Sequence, residues 1–433
     1  MLISFRFKNC RSFYEEAKLS MEAVKDTELR EINTFTISEN LMPKGENELL
    51  KSAIIFGGNA SGKTNVIKAL AYMKNVLILS AAQLPIVKAN EAFAFFDEAS
   101  GKESLYEVEI IQNGVYYRYG FTIINGEIAT EWLDRRKERL TSVFKRTQSK
   151  LEITGTDKLA AKLINLSPSA LFLSVGNNFN LDIAPALLDV VTWFHNLLIV
   201  FENSANSLDI YTMEQGKYRE QALKILQLAD IGIRDIAVKK AKILDMSDAG
   251  DILRFNTQMQ IQPNALKGQL KQEDSNLFNI DMETLFDVFD EDGKVLRQKS
   301  VMLFKDAGFN SEGTVRLLCY LGWILAALDQ GRVIFIDEMD AKLHFLVADY
   351  LIKLFNSIDK NPKNSQLVCT AHNVMLMDED LRRDQIYFTS KSEHGESHLV
   401  SLSDYKNVRK TDLFSKRYLA GFYSQLPDMK ADL

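Results

Sequence analysis

The sequence predicts an α/β fold, and three observations carry that reading. A glycine-rich loop at residues 57–64 lies between an apolar strand and a helical pattern. A second apolar strand, at 333–336, ends in the adjacent carboxylates Asp337 and Glu338. Three alternating segments between residues 104 and 133 are joined by Asn-Gly pairs, which adds an antiparallel portion.

The N-terminus alternates apolar and polar residues over 1–8 and carries charge, so it reads as a strand rather than a signal peptide. A second strand is expected over 17–21. The third, at 53–56, is wholly apolar and leads into Gly57-Gly58-Asn59-Ala60-Ser61-Gly62-Lys63-Thr64, which fits G-x-x-x-x-G-K-[ST]. Beyond Asn65, residues Val66, Ile67, Leu70, Met73 and Leu77 recur at helical spacing. Strand, turn and helix start are the context the motif requires: loop N–H groups and the positive helix end surround a phosphate chain. Lys63 would reach the terminal phosphates and the Thr64 hydroxyl would ligate Mg²⁺. The expected ligand is a nucleoside triphosphate, and Arg11, in the turn after the first strand, is a candidate contact to it.

Segments 104–112, 115–124 and 127–133, with turns Asn113-Gly114 and Asn125-Gly126, form a three-stranded meander, because both residues of such a turn take positive φ. A short strand is expected over 170–174 and a helix over 183–200, with His195 as a core histidine. A further helix over 218–228 places Ala222, Ile225, Leu226 and Ala229 on one face. The polar stretch 247–279 reads as a long loop, and a hairpin follows over 283–304. No heptad pattern, internal repeat or low-complexity tract interrupts the chain.

The Asp337–Glu338 pair suits phosphoryl chemistry, the first carboxylate for Mg²⁺ and the second for polarising an attacking water. Upstream, Ser311-Glu312-Gly313-Thr314 opens a buried helix and offers a second anion-binding corner. Downstream, His372 ends the strand 366–370, where it can hydrogen-bond a γ-phosphate.

Composition bounds the function. The chain has 433 residues, 46% apolar and 25% charged, a globular profile suited to two or three lobes. The longest apolar run, 317–328, is too short to span a bilayer, so no membrane partner and a cytoplasmic location are expected. Three widely spaced cysteines support neither a disulfide framework nor a zinc site. A net charge of −6 argues against bulk coating of nucleic acid. The basic runs 135–139, 239–242, 409–410 and 416–417 read as solvated faces. No Asn-Lys-x-Asp motif points to a small GTPase.

These motifs together resemble the ABC-type, SMC-like P-loop ATPase head. More narrowly, the chain resembles the bacterial AAA-family ATP-binding proteins of abortive-infection and restriction-linked loci, relatives of the OLD-type ATPases. The narrower likeness rests on Asn9-Cys10-Arg11-Ser12-Phe13, Tyr117-Arg118-Tyr119-Gly120, 311–317, 337–344, 381–386 and Tyr418-Leu419-Ala420-Gly421. It implies three segments: an N-terminal ATPase lobe over 1–133, an inserted helical and β lobe over 134–304, and a C-terminal ATPase lobe over 305–433. Ser311 and Gly313 would belong to the signature, Asp340 to the D-loop, and His372 would be the switch histidine. Two heads would sandwich ATP and Mg²⁺, Ser311 and Gly313 of one copy facing Lys63 of the other.

The sequence departs from that pattern in places. The signature lacks its leading Leu-Ser and trailing Gln, and Phe345 replaces a frequent proline. Gln83 is the candidate Q-loop residue. No zinc hook or long arm is present, and the stretch after His372 is too short for a nuclease module. Asp378-Glu379-Asp380 therefore reads as a solvated run. The implied function is an ATPase switch, the regulatory subunit of an anti-phage system with a separately encoded effector. The alternative is a DNA-repair or DNA-clamp ATPase acting on nucleic acid directly.

Overall fold

In the computed structural model the apolar and alternating runs become two main β-sheets. The structure describes residues 1–42, 47–80, 86–155, 164–176, 181–201, 216–229, 232–245, 270–273, 276–303, 309–406, 408 and 413–423. Gln83, most of the 247–279 stretch and the run 409–410 lie outside the described residues. The chain forms two compact units. The first comprises Met1–Ile199, Gly331–Met339 and Asp349–Leu433, and the second Val200–Gln330 and Asp340–Ala348. These units divide the chain at other points than the three segments read from sequence.

The meander grows into a seven-stranded antiparallel sheet, because the N-terminal strand Leu2–Lys8 pairs on one side with Ala17–Ser20 and on the other with Ser104–Gln112. Val115–Ile124, Glu127–Arg136, Leu140–Thr147 and Lys150–Ile153 follow in order. Both Asn-Gly turns adopt the left-handed conformation, with φ of 50° at Asn113 and 51° at Asn125. The sheet buries charge as well as apolar surface. Glu131 is fully buried, accepts the Phe172 and Leu173 N–H groups at 2.7 and 2.9 Å, and lies 3.6 Å from Arg146. Burial pushes its carboxyl up, against the opposing pull of Arg146 and those two N–H groups.

That carboxylate explains one difference from the sequence reading. Residues 170–174 do not extend as a strand; Phe172–Val175 turns into a short helix whose first N–H groups converge on Glu131. The next helix, Ala184–Asn196, stops earlier than expected, and Leu198–Val200 joins a sheet. His195 is exposed on that helix rather than held in the core. The polar stretch likewise ends in structure, since Leu270–Glu273 and the start of Asn276–Phe289 are paired strands.

The second sheet positions the site. Its order is Leu198–Val200, Val333–Ile336, Gln366–Thr370, Ser52–Gly57, Ile386–Lys391 and Ser397–Ser401. The four strands from Val333–Ile336 to Ile386–Lys391 run parallel, and Ser397–Ser401 pairs antiparallel with Ile386–Lys391. Their side chains are almost continuously buried, as expected of strands covered on both faces. Helix Lys63–Leu79 buries Val66, Ile67, Leu70, Met73 and Leu77, the stripe read from sequence, together with Ala69 and Val76. All three cysteines are buried, and burial pushes the Cys10 and Cys319 thiols up to about 11 and about 12, which holds them protonated.

Within the second unit, Gly216–Leu228 buries Tyr218, Ala222, Ile225 and Leu226, while Ala229 is half-buried just beyond it. The strands Ile233–Asp245, Asn276–Phe289 and Val295–Met302 form an antiparallel sheet beside it in sequence. Among the described residues no helix is long and apolar enough to cross a membrane.

The segment 381–386 locks the first unit. Arg382 is 3% exposed and donates to the carbonyls of Val24, Asp26 and Glu28 at 3.0, 2.8 and 2.7 Å and to Asp384 at 2.7 and 3.0 Å. Gln385 bonds the Ser52 carbonyl and Asn33. The Arg-Arg-Asp-Gln pattern is thus a clamp between the N-terminal segment and the parallel sheet. Arg382→Ala would leave Asp384 buried without its cation and is expected to destabilise the chain by about 3–5 kcal/mol. A urea denaturation midpoint unchanged from the parent protein would contradict this.

Candidate functional site

Parallel pairing sets the strand ends side by side. Gly57 is opposite Thr389, Ile55 opposite Thr370, and Ile336 opposite Cys369. The residues just past those ends therefore emerge on one edge of the sheet, as ligand-binding residues of open α/β folds do. They are the loop 57–64, Asp337 with Glu338, His372, and Lys391.

The loop is shaped by its backbone. Gly62 takes φ 112°, and a Cβ there would stand 2.5 Å from the Ser397 hydroxyl, so the position requires glycine on both counts. Ala60 also adopts a left-handed conformation, φ 60°. Lys63 is 6% exposed and donates to the carbonyls of Gly57 and Gly58 at 2.8 and 3.2 Å, which holds its ammonium across the loop. Asn65 donates to the Ser12 hydroxyl at 2.8 Å and so turns toward the N-terminal segment.

A hydroxyl relay orders the carboxylates. Thr64 and Thr370 both donate to Asp337 Oδ1, at 3.1 and 2.8 Å, while the Thr370 hydroxyl accepts the Glu338 N–H at 2.7 Å. Glu338 adopts φ 50°, an uncommon conformation for a glutamate, which the Met339 N–H bond to the Thr370 carbonyl helps to hold. Its Oε1 lies 3.7 Å from His372 Nε2. Asn59, Ala60, Ser61, Gly62, Lys63, Thr64, Asn65, Glu338 and His372 line a single cavity of about 640 Å³, to which Ser12 and Lys391 also contribute. The Thr64 hydroxyl beside the Asp337 carboxylate is a pair of hard oxygen donors, the set Mg²⁺ takes.

The remaining expected residues are placed differently. Arg11, at φ 56°, is ion-paired with Glu91 at 2.8 Å and lines a neighbouring cleft rather than the loop cavity. Ser311, Gly313 and Asp340 belong to the second unit. There the Ser311 hydroxyl accepts the Thr314 N–H at 3.1 Å and caps helix Glu312–Gln330. Gly313 sits so close to the Lys342 carbonyl that a Cβ would approach it to 2.5 Å, and Glu312 pairs with Lys342 at 2.6 Å. Asp378, Glu379 and Asp380 are engaged by Ser415 and Lys353.

Sequence reasoning passed over Ser12, Thr370, Thr389, Ser397 and Lys391. Ser61 and Thr389 hydroxyls meet at 2.6 Å, and Ser397 bonds both the carbonyl and the hydroxyl of Ser12 at 2.7 and 2.8 Å. Ser12, Thr389 and Ser397 are ordinary hydroxyl residues whose role comes from pairings hundreds of residues apart. Ser12 lay inside the Asn9–Phe13 motif and Thr370 two residues before the histidine, but neither motif gave the hydroxyl a role.

Residues 52–378 match the family model AAA_21, described as "AAA domain, putative AbiEii toxin, Type IV TA system". No curated protein matches the chain. The solved structure described as "Crystal structure of the SmcHead bound to the C-winged helix domain of ScpA" aligns over 92% of this chain and 97% of that one, at 14% identity and a TM-score of 0.45. The family match takes in the phosphate loop, both carboxylates and the histidine, and the chain therefore belongs to the AAA_21 family of AAA domains.

Proposed function

We propose that the chain is a Mg²⁺-dependent ATPase that works as a nucleotide-operated switch, the regulatory subunit of an anti-phage system with a separately encoded effector. The observation that carries the chemistry is the relay Thr64–Asp337–Thr370–Glu338 at the mouth of the phosphate loop. The family description, with its toxin and toxin–antitoxin wording, supports the defence role.

The residues divide the work as follows. Loop N–H groups and the start of helix Lys63–Leu79 bind the phosphates, and Lys63 exchanges its carbonyl partners for phosphate oxygens. Thr64 and Asp337 would hold Mg²⁺, which supplies charge neutralisation on the β- and γ-phosphates. Glu338, aimed by its backbone, accepts a proton from the attacking water. His372, beside Glu338, donates to the γ-phosphate and so distinguishes ATP from ADP. Ser311 and Gly313 of a second copy complete the site, by resemblance to paired heads, and Asp340 lies in the connecting segment.

Three substitutions test this reading. Lys63→Ala should abolish nucleotide binding measured by calorimetry. Glu338→Gln should keep ATP bound while hydrolysis falls by about 10²-fold or more; wild-type turnover would refute its assignment as base. Ser311→Arg should bind ATP normally yet hydrolyse none. Wild-type turnover that stays constant per subunit on dilution, with Ser311→Arg equally active, would refute the paired site. Co-expression with neighbouring genes should yield a stable heteromeric complex. Tight, salt-sensitive binding of duplex ends by the isolated chain would instead favour a nucleic-acid-directed ATPase.

A further inference from the structure

We propose that Lys391 is a second nucleotide-binding cation and that the cleft on its far side, floored by Phe95, takes the base. The proposal rests on the ATP-binding reading and extends it to residues outside the phosphate loop.

Lys391 is the last residue of a strand that runs parallel to the loop strand, two residues past the Thr389–Gly57 pair. Its hairpin is fixed against the loop by the Ser61–Thr389 contact and by the bonds from Ser397 to Ser12. Lys391 lines the loop cavity and also a second cleft of about 760 Å³, and Ser12 and Asn65 line both. The two spaces therefore share a wall, and the second is large enough for a nucleoside, since small-molecule pockets run from about 300 to 1,000 Å³.

The second cleft has the chemistry of a base site. Phe95 is 65% exposed, far more than a large apolar ring ordinarily is, and Phe93 supports it edge-on at 5.6 Å. Ile123 adds apolar surface, and the Asn125 side chain can meet a polar base edge. The charges sort themselves too. Arg11 is neutralised by Glu91 and Lys102 by Glu98, whereas among the described residues no carboxylate pairs with Lys391. Its ammonium stands 5.8 Å from the centroid of the Phe95 ring, between an aromatic platform and the phosphate-binding loop. A ligand with a flat ring at one end and a polyanion at the other satisfies both.

The test compares two ligands on the full chain with Mg²⁺ present, ATP and inorganic tripolyphosphate, each measured by calorimetry. Phe95→Ala should weaken ATP by about tenfold and leave tripolyphosphate unchanged, because stacking on an aromatic is lost only by the ligand that has a base. Lys391→Gln should weaken both ligands by about tenfold, and Lys391→Arg should restore both. Wild-type ATP affinity in both Phe95→Ala and Lys391→Gln would overturn the proposal while leaving the ATP reading intact. Equal weakening of both ligands by Phe95→Ala would overturn the base assignment. Failure of the wild-type chain to bind ATP would overturn the underlying reading, and this proposal with it.

Discussion

The site depends on one constraint, the parallel register of four strands. Parallel strands deliver their C-terminal ends to the same edge of a sheet, so chemistry distributed along 340 residues of sequence converges without any long side chain having to reach. Thr370 shows how tightly the arrangement is drawn. Its hydroxyl donates to Asp337 and accepts from the Glu338 backbone, which is geometrically available only because Gln366–Thr370 lies directly between the carboxylate strand and the loop strand. A one-residue slip would turn Thr370 to the opposite face and break both bonds.

The sequence was most legible where a local rule is strict. Asn113-Gly114 and Asn125-Gly126 could only be turns with positive φ, and the glycine-rich loop could only sit between strand and helix. Legibility failed where a partner far away in sequence decided the outcome. Residues 170–174 are apolar enough for a strand, yet the buried Glu131 carboxylate recruits their N–H groups and curls them into a helical turn. The Leu381–Ile386 segment carried a recognisable pattern whose physical content, a guanidinium satisfying three carbonyls and one carboxylate, was invisible before folding. Thr389 and Ser397 had no pattern at all, and Ser12 lay in a motif that gave it no role, because a hydroxyl becomes informative only once its neighbour is known.

The second unit presents the same logic in miniature. The Ser311-Glu312-Gly313 corner follows an ordinary capping rule, with a serine hydroxyl closing the first helical turn. What distinguishes it from a generic cap is the neighbour of Gly313. The Lys342 carbonyl occupies the volume a side chain would need, and the Glu312–Lys342 pair brackets that approach. Helix Glu312–Gln330 is thereby held, within its own unit, against the segment around Lys342.

A nucleotide-operated switch of the kind proposed has physical terms on which it can operate. A ligand shifts an equilibrium only by its differential affinity for the two states, however tightly it binds to both. Moving a population from 1:99 to 99:1 requires about 5.5 kcal/mol of such preference. ATP and ADP share a base, a ribose and two phosphates, so contacts to those parts hold either nucleotide and discriminate little. Discrimination has to come from groups that meet the γ-phosphate alone, and His372 and Glu338, 3.7 Å apart on the wall of the loop cavity, are the proposed candidates. Charge-assisted hydrogen bonds of about 1.5–3 kcal/mol each are too weak singly and sufficient in twos or threes. In the proposed paired site, contacts from a second subunit would add to that sum, because each group meeting the γ-phosphate contributes to the preference for one state.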